Sequence, residues 1–247
     1  MININIDILI LTISILLVLI IVERYIFNKR NLIKNIKFSQ TLGHVTALRD
    51  HGTGEHNLRV TYMASILGED LGLNRKSLKG LMKGAFLHDI GKIGIPDSIL
   101  LKNGKLDDKE WKIMKQHPQL GVDIVSHIKW FHDAHDVILY HHERFDGTGY
   151  PSGLSGENIP LNARIFALVD VFDALISKRP YKDSFHRDKA IEIIKDGSGT
   201  HFDPKLVPVF LKYAQSFADI IQNGKEQDIK EKLIKQRDKI FNLGEKG

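Results

Sequence analysis

An uncharged apolar run dominates the pattern at the start of the chain. Ile8 to Val22 reads ILILTISILLVLIIV, and Ile4 to Val22 supplies 19 residues, about 28 Å as a helix at 1.5 Å per residue. A hydrocarbon core is about 30 Å thick, so the pattern predicts a transmembrane anchor over residues 1–23. Asp7 lies near the end of the run, where it can reach the interface. No Lys or Arg precedes Arg24 and no Ala-x-Ala cleavage site is present, so the segment does not read as a signal peptide. A basic linker over residues 24–40 follows, with Arg24, Lys29, Arg30, Lys34 and Lys37. By the positive-inside rule this predicts a single-pass cell-membrane protein with its main domain in the cytoplasm.

From about Thr41 the period changes to that of amphipathic helices. SLKGLMKGAFLHDIGK places Leu78, Leu81, Met82, Ala85 and Phe86 at three- and four-residue steps. LDDKEWKIMKQH opens with Asp107 three residues before Glu110, a capping-box start. NARIFALVDVFDALI repeats Ile165, Leu168, Val169 and Phe172, DKAIEIIKDG stops at Gly197, and DPKLVPVFLKYAQSFADII reads as one further helix. There is no run of alternating strands and no internal repeat. The expectation is an all-α domain over residues 41–220, with residues 221–247 a charged C-terminal helix or tail.

Composition narrows the chemistry. With 247 residues, 43% of them hydrophobic, the chain suits one domain and an appendage. It has no cysteine, which excludes disulfides and thiolate metal sites and leaves His, Asp and Glu as ligands. The net charge is +5, and Glu23 to Lys37 alone holds five positive charges and one negative. Most of the excess therefore sits where it can meet anionic lipid, and no long nucleic acid is expected as a partner.

Two adjacent histidines, His141 and His142, precede the glycine-rich stretch ERFDGTGYP. Alone they mean little. His88-Asp89 closes an apolar helix, and a carboxylate beside an imidazole can bridge two cations that the imidazoles hold. Lys92 follows one turn later, placed to neutralise a phosphate. His56, His117 and Asp170 are further potential ligands near helices, as metal sites of helical folds require.

At these residues the chain resembles the HD-GYP branch of the HD-domain metal phosphohydrolases. The likeness is carried by HDIGK, HHERFDGTGYP, IPLNARIFALVDVFDAL and RPYK, and covers about Thr41 to Tyr213. It implies an HD-type helical bundle that hydrolyses cyclic di-GMP to pGpG, with GMP as a further product. It also implies two divalent metal ions, iron or manganese, on His56, His88, Asp89, His117, His141, His142 and Asp170, with Asp89 bridging. Lys92, Arg179 and Lys182 match positions that contact the ligand's phosphates. Tyr150 would stack on a guanine or pack its own loop. Two such cations activate water and clamp both oxygens of an in-line displacement at phosphorus, so no covalent nucleophile is needed.

Other residues carry blander readings. His44, His51, His127, His132, His135, His186 and His201 read as surface or capping residues, Asp173 as an acceptor behind the ligands, and Asp146 as the organiser of the glycine turn. Glu143 and Arg144 read as an ordinary ion pair. The chain departs from the family at Gly52, where many members carry a Glu associated with a third metal, and at Phe145, where Trp is common. The alternatives are hydrolysis of another cyclic dinucleotide or nucleotide, or a weakly active cyclic di-GMP receptor. The protein partners this leaves open are a diguanylate cyclase or other signalling protein, and a second copy in a homodimer.

Overall fold

A computed structural model describes residues 6–49, 53–177 and 184–243. The chain divides into two compact units, Met1–Phe38 and Ser39–Gly247. The first helix, α1, runs Ile6–Arg49, so the basic stretch after the apolar run is helical too. No glycine or proline occurs before Gly43, and nothing in the local sequence stops the ladder. In the first unit the apolar side chains from Ile6 to Val22 stand exposed, Ile8 at 62% and Ile21 at 65%. This helix is long and apolar enough to cross a membrane.

The second unit is built from short helices. They are α2 (Thr53–Asp70), α3 (Arg75–Leu87), a 3-10 turn (Ile90–Gly94), α4 (Asp97–Leu100), α5 (Asp108–Met114) and α6 (His117–Val125). A second 3-10 turn (Lys129–Ala134) leads into α7 (His135–Tyr140), α8 (Leu161–Ile176), α9 (Arg187–Asp196), α10 (Val207–Leu211), α11 (Ala214–Asn223) and α12 (Glu226–Phe241). Among the described residues the only β pairing is isolated bridges, Asp146 with Ser155 and Ser198 with Phe202. The fold is all-α, as the periodicity indicates.

The local signals act as their chemistry dictates. Asn74 caps α3 by accepting from Ser77 N, and Asp107 with Glu110 closes a complete capping box on α5. The helix expected over DPKLVPVFLKYAQSFADII is two helices instead. Its ladder tightens at Lys212 and Tyr213, whose N–H groups bond three residues back to Val209 and Phe210. The break lets Phe210 and Phe217, both buried, meet with centroids 6.1 Å apart. The charged tail forms α12, which buries Ile229, Leu233, Ile240 and Phe241 and packs on α2 and α3.

Two apolar clusters fill this unit. The larger joins Val60, Met63 and Leu67 of α2 to Leu81 and Ala85 of α3 and to Ile165, Phe166, Val169 and Phe172 of α8. The smaller joins Leu87, Ile90, Val125, Phe131 and Ile138. Helices α3 and α7 feed both, and polar side chains leave from their C-terminal ends. The 3-10 turn lies against α6 so closely that a Cβ on Gly91 would sit 1.8 Å from the His117 carbonyl oxygen. That oxygen is backbone and cannot swing aside. Gly91→Ala should therefore cost about 3 kcal/mol or more, at or beyond the top of the usual overpacking range, measured as a lowered urea midpoint at unchanged slope.

Candidate metal centre

Seven side chains from five segments converge. His56 comes from the first turns of α2, His88 and Asp89 follow α3, and His117 opens α6. His141 and His142 follow α7, and Asp170 lies on α8. They form two groups, His56 with His88 and Asp170, and His117 with His141 and His142, with the ligating atoms in each within 4.8 Å of one another. Asp89 stands between the groups. Its Oδ1 lies 3.4 Å from His117 Nε2, and its Oδ2 lies 3.2 Å from His88 Nε2 and 2.8 Å from Lys92 Nζ.

The backbone sets the orientation of the rings. Nδ1 of His88 donates to Ala85 O at 2.9 Å, that of His117 to Met114 O at 2.9 Å, and that of His141 to Ile138 O at 3.0 Å. Each proton is thereby fixed on Nδ1, and Nε2 is turned inward as a lone pair, the usual arrangement behind a metal-binding histidine. His56 Nδ1 bonds Asp173 Oδ2 at 2.8 Å, which turns its Nε2 toward Asp170 Oδ1 at 3.2 Å. His117 Nε2 and His141 Nε2 come within 3.2 Å. Two neutral imidazoles cannot hydrogen-bond through two lone pairs, whereas a shared cation satisfies both. The donors present therefore fit a pair of divalent ions: buried except for the half-buried His142 and Asp170, hard or borderline, and aimed inward.

Electrostatics separates the two groups. Burial pushes His117 and His141 down, His141 far below the ordinary imidazole value, and holds His142 down to about 3. These rings are neutral at pH 7, as ligation demands. Burial also opposes charge on His56, but Asp173 and Asp170 outweigh it and raise the group to about 9. Burial would likewise raise Asp89. Lys92 and His88 overcome it and hold the carboxyl well below the usual range.

The glycine-rich loop closes over His142. Asp146 Oδ1 accepts from Thr148 N at 2.9 Å, and Gly147 takes φ +82°, a region that suits glycine. A Cβ on Gly149 would lie 2.4 Å from Arg144 N, so the loop folds back on its own backbone. This brings the Tyr150 ring onto His142, centroids 4.6 Å apart at 25°. Lys115 Nζ lies 5.4 Å from the same ring's centroid. The Glu143 and Arg144 side chains do not pair with each other. Glu143 Oε1 accepts from Ser152 N at 2.7 Å, and Arg144 meets Asp146 at 3.3 Å and Thr148 Oγ1 at 2.9 Å.

Sequence reasoning brought forward all seven convergent residues, together with Lys92 and Tyr150 beside them. Arg179, Lys182, His51 and Gly52 lie outside the described residues. It missed Arg59. The Arg59 Nε donates to Asp173 Oδ1 at 2.6 Å, and Nη2 donates to Asp173 Oδ2 and Ser177 Oγ, each at 3.0 Å. Its position three residues after His56 puts both on one face of α2, which is the signal that was there to use. Arg59 and Asp173 are both buried. Arg59→Leu strands the Asp173 carboxylate with only His56 and Ser177, and should cost about 3–5 kcal/mol in chemical denaturation. A cost near zero would mean that His56 alone neutralises Asp173.

Comparison with known proteins agrees with this geometry. The HD domain family matches residues 40–206. The chain is 44% identical over 201 residues to a cyclic di-GMP phosphodiesterase of Vibrio cholerae serotype O1, covering 75% of this chain and 41% of that protein. It is 40% identical over 181 residues to a 3'3'-cGAMP-specific phosphodiesterase 2 of the same organism, covering 72% of this chain and 35% of the relative. The chain thus spans less than half the length of these two relatives. In fold it is similar to a crystal structure of a cyclic GMP-AMP specific phosphodiesterase of V. cholerae, with TM-score 0.59 and 20% identity, covering 83% of this chain and 60% of that one. With a family match over residues 40–206 and relatives at these identities, the chain belongs to the HD-domain family, in its HD-GYP branch.

Proposed function

We propose that this chain is a metal-dependent phosphodiesterase that hydrolyses cyclic di-GMP, with pGpG as first product. The observation that carries the reading is Asp89, one oxygen toward each group of ligands, beside two imidazole lone pairs 3.2 Å apart. A pair of divalent ions, iron or manganese, would supply Lewis-acid activation of a phosphodiester there. His56, His88 and Asp170 would hold one, His117, His141 and His142 the other, and Asp89 both. Lys92 sits at the edge of the pair with its ammonium placed to offset charge on the phosphoryl oxygens. Arg179 and Lys182 are assigned the other phosphate contacts on the family resemblance. Tyr150 bounds the site, with one face of its ring against His142.

Cyclic di-GMP is favoured because the relative at 44% identity carries that activity in its name. A 3'3'-cGAMP substrate is the second reading, favoured by the relative at 40%. Purified full-length chain, prepared anaerobically and given both dinucleotides, decides between them by kcat/KM. We expect about two metal ions per chain, since Gly52 offers no carboxylate for a third. Asp89→Ala should lower both metal content and turnover, the latter about 100- to 1,000-fold, given several kcal/mol of charge stabilisation and about 1.4 kcal/mol per tenfold. Wild-type turnover with full metal in Asp89→Ala would remove this reading.

The apolar part of α1 is proposed to anchor the chain in the cell membrane, with residues 39–247 facing the cytoplasm. Its support is the exposed apolar surface from Ile6 to Val22 and the basic residues that follow. The full chain should sediment with membranes and stay there at high salt, while a chain lacking residues 1–38 should be soluble and turn over substrate. Release of the full chain by salt alone would contradict the anchor.

A further inference from the structure

The turn that carries Lys92 is held from two sides. On one side Gly91 lies on the His117 carbonyl. On the other is Arg49, the last residue of α1. Its Nη1 donates to Lys92 O at 3.4 Å and to Ile93 O, and its Nη2 to Ile95 O at 2.8 Å and Asp97 Oδ1 at 2.5 Å. Lys92 O also accepts from Ile95 N at 3.1 Å, whereas the Ile93 and Ile95 carbonyls lie where no further turn follows to bind them and take their donors from Arg49. A guanidinium offers five N–H groups in one plane and can serve several carbonyls at once, whereas an ammonium is a point donor.

This contact is not a local cap. Arg49 and Lys92 are 43 residues apart. A separate helix end therefore fixes the backbone from which the Lys92 side chain departs, and that side chain reaches Asp89 Oδ2 at 2.8 Å. Misplacing a catalytic group by about 1 Å can cost on the order of 100-fold in rate.

The geometry points to Arg49 as a positioning residue for Lys92, one that makes turnover depend on where the end of α1 lies. The inference rests on the phosphodiesterase reading above. The Arg49 guanidinium bonds go to Lys92 O, Ile93 O, Ile95 O and Asp97 rather than to the metal-binding side chains, so its effect on chemistry passes through the Lys92 turn. A purely stabilising role would act alike whatever residue stood at position 92.

A double-mutant cycle separates the two. Arg49→Ala, Lys92→Ala and the double variant of the full chain are assayed for kcat/KM on cyclic di-GMP and on bis(4-nitrophenyl) phosphate, with thermal midpoints alongside. Arg49→Ala should lower kcat/KM about 10- to 100-fold when Lys92 is present and less than about threefold when it is Ala. Arg49→Lys should not restore the rate, because a single ammonium nitrogen lacks the planar fork whose two Nη atoms divide the Lys92, Ile93 and Ile95 carbonyls between them. Arg49→Gln keeps two N–H donors and carries the same cycle if the alanine variant does not fold. Equal fold losses in both backgrounds, or an Arg49→Ala rate within about twofold of wild type, would overturn this inference and leave the phosphodiesterase reading standing. A metal-loaded wild-type chain that turned over neither substrate would overturn both.

Discussion

A carboxylate taken out of water must find positive charge or strong donors, and Asp89 is 7% exposed. Its compensation comes from three places: His88 beside it, Lys92 one turn on, and His117 from α6. The close packing of the 3-10 turn on α6, the inward rotation of the rings and the exit of the chain from α3 all follow from bringing them to one spot. The same logic repeats on α8, where Asp170 faces His56 and Asp173 is gripped by Arg59. A buried and a half-buried acid on one helix thus tie α2 to α8, and the larger apolar cluster joins those helices.

Much of this was legible in the chain because the information is local. His88-Asp89, His141-His142 and the glycine-rich loop are contiguous, and residues near the ends of predicted helices face a shared interior. Helix periodicity was equally plain for α3, α5 and α8. What stayed hidden depends on pairs far apart in sequence. Arg59 and Asp173 are separated by 114 residues, and nothing near either announces the other. The break between α10 and α11 was hidden for another reason: the apolar positions run on through both halves, and the interruption shows only in the folded chain, where Phe210 meets Phe217. The expected Glu143–Arg144 pair failed because neighbouring residues are not bound to face one another. The loop's fold sends one to Ser152 and the other to Asp146 and Thr148.

The ordering of the rings comes from main-chain carbonyls. Each of His88, His117 and His141 spends its Nδ1 proton on a carbonyl three residues back, so the end of the preceding helix, α3, α5 or α7, aims the ring. Donors held in this way would lose little rotamer freedom on taking up an ion.

The contact between Gly91 and the His117 carbonyl has a meaning for protein design. It sets the spacing of His88 and Asp89 from His117 by backbone against backbone, with no side chain between to adjust. Copying the seven side chains onto another helical scaffold would reproduce the donors but not this distance, because any residue larger than glycine at the crossing pushes the two segments apart. For a graft, the first specification is therefore a bare crossing of two main chains, and the histidines come second.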